Sequence, residues 1–396
     1  MAQSVSLTEL LVLAQSGNPG AQYALSANLH QQGKAEESLH WLRAAAAQSL
    51  VPAQLTLATM LVDGRHCPRD RQAAIELLGP LAATQVQANL LLAEIHGFTA
   101  LGGTNREEAL RHLMSAARRG DAGALRQLAL LASCHRLPGL VPSLLGAAVR
   151  AGDALAQALA TRHAPAAGTA TAVDWQQVLQ ALPQLAAAIP LPEPELLHAA
   201  PLVRRYRRVF EPLVLDAVIG IAAPLVQRSQ IVDASTGQSR PDPMRSSSHI
   251  TLGPRQHDHV LEALEHCISR VSGLPVLHAE FLQVLRYRRG EEFRLHVDYF
   301  NESGAGSYQS LADGGQRAQT VLAYLNEGYA GGSTRFPELQ LDIQGEPGDL
   351  LHFHNLRSDG IGDRASLHAG MPVLDGEKWL LSQWIRADRY PTRLAW

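Results

Sequence analysis

With 396 residues, 46% of them hydrophobic and 18% charged, the chain is long enough for two or three domains and apolar enough to bury sizeable cores. A formal net charge of -3 gives no electrostatic reason to expect nucleic acid or an anionic membrane as a partner. Cys67, Cys134 and Cys267 are widely spaced and form no C-x-x-C pair, which argues against a disulfide framework or a zinc ribbon. With no signal-peptide pattern and no apolar run approaching roughly 18 residues, the expected compartment is reducing and cytoplasmic.

Residues 1–162 are rich in Ala and Leu, and they repeat. Alanines that follow a small or polar turn recur at Ala21, Ala53, Ala88, Ala124 and Ala156, at spacings of 32, 35, 36 and 32. The phrase Gly120-Asp-Ala-x-Ala124 returns as Gly152-Asp-Ala-x-Ala156, and a second helical pattern runs through 37–45, 73–78 and 107–117. A helix-turn-helix unit of this length resembles tetratricopeptide arrays and their longer, more variable relatives, in which small residues let neighbouring helices approach closely. The spacing predicts an all-α solenoid over 1–162. Its concave face suits a peptide or protein ligand, the other reading being a purely structural or oligomerising domain.

Composition shifts to Ala, Pro and Thr over 163–202, which predicts a linker around one short helix at 175–188. Beyond it, over 203–396, helical patterns at 214–227 and 257–271 flank strand-like runs at 248–251, 279–287, 293–299, 320–325, 333–336, 348–354 and 379–386. Short strands divided by Gly, Pro and Asp turns predict a double-sheet, jelly-roll-like domain with supporting helices. The basic run 204–208 reads as a solvated helix face. Segments 233–246 and 301–316, rich in Gly, Ser and Asp, read as loops able to close over the mouth of that domain.

The stretch YRRGEEFRLHVDY, from Tyr287 to Tyr299, contains His296-Val297-Asp298. On a strand these two side chains project from one face, about 7 Å apart. An imidazole and a carboxylate joined by a distant second histidine make the facial triad of non-haem Fe(II) oxygenases, which leaves positions open for co-substrate and oxygen. Seventy residues later, the segment 364–386 holds His368 and, ten residues on, Lys378. The chain writes nearly all of its 34 Lys plus Arg as arginine, with Lys34 and Lys378 the exceptions. A compact ammonium has been kept where Arg is no substitute. His352 and His354 also sit at strand spacing but have no carboxylate at i+2, and His257 and His278 read as ordinary polar or core histidines.

Taken in order, these blocks resemble the catalytic domain of prolyl 4-hydroxylases: Tyr287-x-x-Gly290-x-x-Phe293-x-x-His296-x-Asp298, 315–326 with Arg317 and Thr320, Gly331-Gly-Ser-Thr334-Arg-Phe-Pro337, 348–353, Ser366-Leu-His368-Ala-Gly370, and Gly376-x-Lys378-Trp379. Upstream, 231–237 and Arg245-Ser-Ser247 look like the loop and strand ahead of that core. The resemblance covers about 203–390. It implies a double-stranded β-helix, cupin-like, in which His296, Asp298 and His368 hold Fe(II). By the same resemblance Lys378 pairs with the far carboxylate of 2-oxoglutarate, and Tyr287 and Thr334 hold the same end. Arg317 matches an arginine that contacts the substrate backbone, and Trp384 an aromatic lining the proline pocket. Phe293 stands where the family usually has a tyrosine, so its ring can pack on proline but the phenolic hydrogen bond is gone.

The activity so implied is a 2-oxoglutarate-dependent dioxygenase with O2 as oxidant and ascorbate as reductant. It hydroxylates an unactivated C–H bond, of a prolyl residue in a protein or peptide recruited by the repeats, and releases succinate and carbon dioxide. The alternatives are a tailoring hydroxylase of a free amino acid or natural-product peptide, and a non-catalytic protein that senses 2-oxoglutarate or oxygen.

Overall fold

The structure, a computed structural model, describes residues 6–163, 172–232, 239–241, 244–300 and 307–394. The Ala/Thr-rich run at 164–171 and part of the expected mouth loops, at 233–238, 242–243 and 301–306, lie outside the described residues. The chain divides into two compact units, one reaching to residue 124 and one spanning 125–395.

The first part is helical: α1 (Leu7–Gln15), α2 (Pro19–Gln31), α3 (Ala35–Ala47), α4 (Val51–Asp63), α5 (Arg71–Leu78), α6 (Val86–Gly97), α7 (Arg106–Arg118), α8 (Ala122–Cys134), α9 (Val141–Arg150) and α10 (Ala154–His163). The five repeat alanines are the third residues of α2, α4, α6, α8 and α10, and all are buried, four of them completely. A methyl group there is what the close helix packing admits. The recurring Gly-Asp phrase is a helix-start device. Gly120 and Gly152 turn at φ +88° and +90°, and Asp121 and Asp153 accept from the backbone N–H of Ala124 and Ala156, both at 2.7 Å. In the first unit Leu42, Ala45, Ala53, Leu57, Ala58, Leu78 and Leu92 form a continuous core, each buried leucine contributing about 1.5–3 kcal/mol of apolar transfer.

The second unit adds α11 (Trp175–Ala186), α12 (Pro212–Ala222), α13 (His259–Ser272) and α14 (Ser307–Ala312) to an antiparallel β structure. Within it α10 packs on α12, and Arg162 and His163 both reach Asp216, at 2.9 and 2.5 Å. Arg136 donates to the Glu211 carboxylate at 2.8 Å and to the Arg208 carbonyl at 3.0 Å.

The strands are β1 (Glu195–Ala199), β2 (Leu202–Tyr206), β3 (Gln227–Arg228), β4 (Gln230–Val232), β5 (Ser239–Pro241), β6 (Ser248–Thr251), β7 (Gln283–Arg288), β8 (Phe293–His296), β9 (Arg317–Tyr324), β10 (Ala330–Gly331), β11 (Thr334–Phe336), β12 (Leu341–Ile343), β13 (Leu350–His354), β14 (His368–Gly370), β15 (Val373–Asp375) and β16 (Glu377–Arg386). They form an eight-stranded major sheet in the order β1-β2-β13-β9-β16-β7-β6-β3 and a four-stranded minor sheet in the order β12-β11-β14-β8, with two small ribbons. This is the expected double-stranded β-helix, as two sheets that do not close into one barrel. Val203, Leu285, Leu322, Leu351, Phe353 and Leu380 of the major sheet pack with Phe336 and Ile343 of the minor one.

Three expectations about elements need correction. The basic run at 204–208 is not a helix face: most of it is β2, and Arg205 and Arg208 spend their charge on Glu195 and Glu346. β1, inside the proline-rich stretch read as linker, pairs with β2 and adds a strand to the major sheet. The strand expected over 293–299 ends at His296, so Asp298 lies in a bend beyond it.

Candidate active site

One cavity opens between the two sheets. Its lining includes Arg245, Gln283, Leu285, Tyr287, Phe293, His296, Asp298, Thr334, His368, Lys378, Leu380, Ser382 and Trp384. Of the residues singled out in the sequence, eight stand here and Arg317 does not.

Strand pairing brings the two histidines together. β8 and β14 run antiparallel with His296 opposite His368, although 72 positions separate them in the chain. The Nε2 of His296 lies 3.5 Å from Asp298 Oδ1, and that of His368 lies 3.7 Å from Asp298 Oδ2. One ligand atom from each of the three residues falls within 4.8 Å of the others. The other ring nitrogens fix the tautomers. His296 Nδ1 lies 2.7 Å from the Arg294 carbonyl and His368 Nδ1 lies 3.0 Å from the Ser366 carbonyl, and a carbonyl can only accept. Each Nδ1 therefore carries the proton, and each Nε2 keeps its lone pair for the cavity.

Electrostatics agree with this assignment. Burial, with His296 next to it, lowers the His368 pKa to about 4, so its ring is neutral at physiological pH. Burial by itself would raise the Asp298 carboxyl, but His368, His296 and the Thr320 hydroxyl together hold it below its ordinary range. Two imidazoles and one carboxylate on one side of a cavity fit Fe(II), and they leave the opposite side open.

The other end of the cavity suits an anion. Lys378 stands opposite Tyr287 across β16 and β7 and is 2% exposed. Its ammonium donates to the Gly332 carbonyl at 2.6 Å, and no carboxylate pairs with it among the described residues. Burial lowers its pKa to about 7. Gly332 turns at φ +67°, and a Cβ there would come 3.1 Å from Val373 and 3.2 Å from the Lys378 side chain, so the turn that presents the carbonyl needs glycine. Thr334 shares a 2.9 Å hydrogen bond with the Tyr324 hydroxyl. Burial raises the Tyr287 phenol, which keeps it a hydrogen-bond donor.

Phe293 stacks on His296 at 3.5 Å between ring centres, with the Arg245 guanidinium 5.3 Å from its own centre. Trp384 lines the same cavity, and its indole N–H is buried without a partner among the described residues. Arg317 sits behind it, 3.5 Å from the indole centre, and donates both arms of its guanidinium to Glu280 at 2.7 and 2.9 Å. His352 is bonded to Gln319 at 2.7 Å and has a pKa pushed down to about 3 by burial and His354; neither His352 nor His354 lines the cavity. His257 pairs with Glu262 at 2.8 Å. Sequence reasoning gave no role to Glu280, Thr320 or Asn355. No motif signals a hydrogen bond between strands distant in sequence, although the polar Thr320 inside the apolar run of β9 was a hint.

Residues 282–386 match the family model described as the 2OG-Fe(II) oxygenase superfamily. Prolyl 4-hydroxylase 2 of Arabidopsis thaliana is 33% identical over 206 residues, which cover 47% of this chain and 67% of the relative. Prolyl 4-hydroxylase 1 of the same plant is 31% identical over 208 residues, covering 49% and 72%. Among solved structures, a Sel1 repeat protein from Oxalobacter formigenes is similar over 46% of this chain and 77% of its own, at 23% identity and a TM-score of 0.35.

Proposed function

Since the chain belongs to the prolyl 4-hydroxylase family of 2-oxoglutarate- and Fe(II)-dependent oxygenases, we propose that it hydroxylates a prolyl residue of a protein or peptide, with the catalytic domain at 203–396 and substrate recruited by the repeats of 1–162. The observation that carries this reading is one cavity with the His296, Asp298 and His368 ligand atoms at one side and the uncompensated ammonium of Lys378 deep in its wall. Bound by those ligands, iron supplies the oxygen activation and C–H hydroxylation typical of this donor set.

The protein's own contribution is positional. Lys378 receives the far carboxylate of 2-oxoglutarate in a charge-assisted hydrogen bond, with Thr334 and Tyr287 alongside. Leu285 and Leu380, opposite each other in register between this end and the mouth, flank the co-substrate with apolar surface and exclude water. Phe293 and Trp384 offer flat faces that suit a pyrrolidine ring, and the unpartnered Trp384 N–H suits a substrate carbonyl. Arg317, braced by Glu280, orients the Trp384 ring from behind.

The test is succinate formation from 2-oxoglutarate by purified protein with Fe(II), ascorbate and a panel of proline-rich peptides, beside His296→Ala. Turnover stimulated by a prolyl peptide and lost in the variant supports the proposal. Peptide-independent turnover would move the target to a free amino acid or natural-product peptide, the reading that Phe293 favours by lacking a phenol. Absent turnover despite bound metal and co-substrate would indicate a sensor.

A further inference from the structure

We propose that Thr320 and Asn355 are positioning residues for the metal ligands, a hydrogen-bonded node that fixes Asp298 through its side chains and His368 through its backbone. The proposal rests on reading His296, Asp298 and His368 as the metal ligands. It adds how two of them are aimed.

Asp298 needs such a device because it lies past the end of β8, where no strand register holds it. Thr320, on β9 of the major sheet, places its hydroxyl 2.6 Å from Asp298 Oδ2. Asn355, just after β13, places its side-chain amide nitrogen 2.9 Å from the same hydroxyl. Both are essentially sealed, at 1% and 0% exposure, so water offers no competing partner. The direction of each bond follows from chemistry. An amide NH2 only donates, so the Thr320 oxygen accepts from Asn355 and its single hydrogen is left for the carboxylate, which only accepts. Asp298 Oδ2 is thereby engaged, and Oδ1, 3.5 Å from His296 Nε2, is left to serve as the ligand atom.

The backbone of Asn355 runs to the other ligand. Its carbonyl accepts from Asp363 N at 2.8 Å, and the Asp363 carbonyl in turn accepts from Ser366 N at 3.0 Å and Ser366 Oγ at 2.7 Å. The Ser366 carbonyl is the group that holds His368 Nδ1. The exit of β13 therefore connects, within three hydrogen bonds in either direction, to a ligand ahead of it in the chain and to one behind it. Partners of this kind, one layer behind metal ligands, set ligand orientation and metal affinity.

Co(II) titration followed by its visible d–d absorption reads both affinity and coordination, without turnover. Thr320→Val and Asn355→Ala are expected to weaken Co(II) binding by about 10–100-fold and to change the band shape, whereas Thr320→Ser, which keeps the hydroxyl, stays within about threefold of wild type. Because Asn355 acts on Asp298 through Thr320, the double variant Thr320→Val/Asn355→Ala binds no more weakly than Thr320→Val. Circular dichroism without metal establishes folding; if Thr320→Val does not fold, the contrast between Asn355→Ala and Thr320→Ser decides. Wild-type affinity in Asn355→Ala, a Thr320→Ser as weak as Thr320→Val, or additive losses in the double variant overturns the node. If wild type itself fails to bind Co(II), or His296→Ala binds it equally well, the metal-site reading beneath the proposal is what has failed.

Discussion

Replacing Lys378 by methionine isolates the cost of a buried cation. Burial takes the ammonium from 10.5 to about 7, and its hydrogen-bond partner is a carbonyl rather than a carboxylate. At 1.36 kcal/mol per unit of pKa, the native state is penalised by about 5 kcal/mol for carrying that charge. The sign is opposite to that of an ion-paired lysine. Between pH 7 and 10.5 the unfolded chain binds more protons than the native one, so this group makes stability rise with pH across that window, and the full penalty stands below it. Lys378→Met keeps the length of the side chain and removes the charge. In urea unfolding without 2-oxoglutarate, the variant is expected to exceed wild type by about 5 kcal/mol near pH 6 and by close to nothing above pH 10.5. A dicarboxylate seated against the ammonium raises its pKa again, so binding near pH 8 takes up a proton, measurable by calorimetry in buffers of different ionisation enthalpy. A variant less stable than wild type near pH 6, or 2-oxoglutarate binding without proton uptake, refutes the reasoning.

Three further outcomes are expected. Asp121→Ala removes the cap on Ala124 N and costs about 1 kcal/mol in urea unfolding monitored by circular dichroism; no change would show the cap to be replaced by water. Thr334→Val leaves the buried Tyr324 hydroxyl without its 2.9 Å partner, costs about 1–3 kcal/mol of stability, and raises KM for 2-oxoglutarate more than it lowers kcat. Mn(II) at a hundredfold excess over its dissociation constant stabilises the protein by about 2.7 kcal/mol, EDTA reverses the gain, and His296→Ala shows no response in the same thermal scan.

The parts of the molecule legible in the sequence are those whose physics repeats or is local. Alanine at the third position of five helices leaves a spacing signal because each helix pair meets the same steric demand. His296, Asp298, His368 and Lys378 stood out because their residue types are chemically special, and the structure places all four in one cavity. What escaped depends on pairing partners that no residue type or spacing marks. β1 hides in a stretch dominated by prolines and owes its strand state to pairing with β2. Arg205 of β2 and Arg208 just beyond it look like solvated surface until Glu195 and Glu346 are brought alongside. Arg317 carries a family motif, yet only the fold reveals Glu280 as the carboxylate that engages its guanidinium.

The dependence of one ligand beside the minor sheet on a residue of the major one bears on the order in which the chain can mature. His296 and His368 are neighbours in the minor sheet, but Asp298 is steered by Thr320 of the major one. A folding intermediate holding one sheet would have two ligands at most, or a carboxylate aimed at nothing. Since such long-range pairings form late and slowly, ion capture should trail the burial of the apolar faces rather than nucleate it. The rate at which a nascent chain acquires metal would then be a clock for the docking of one sheet on the other.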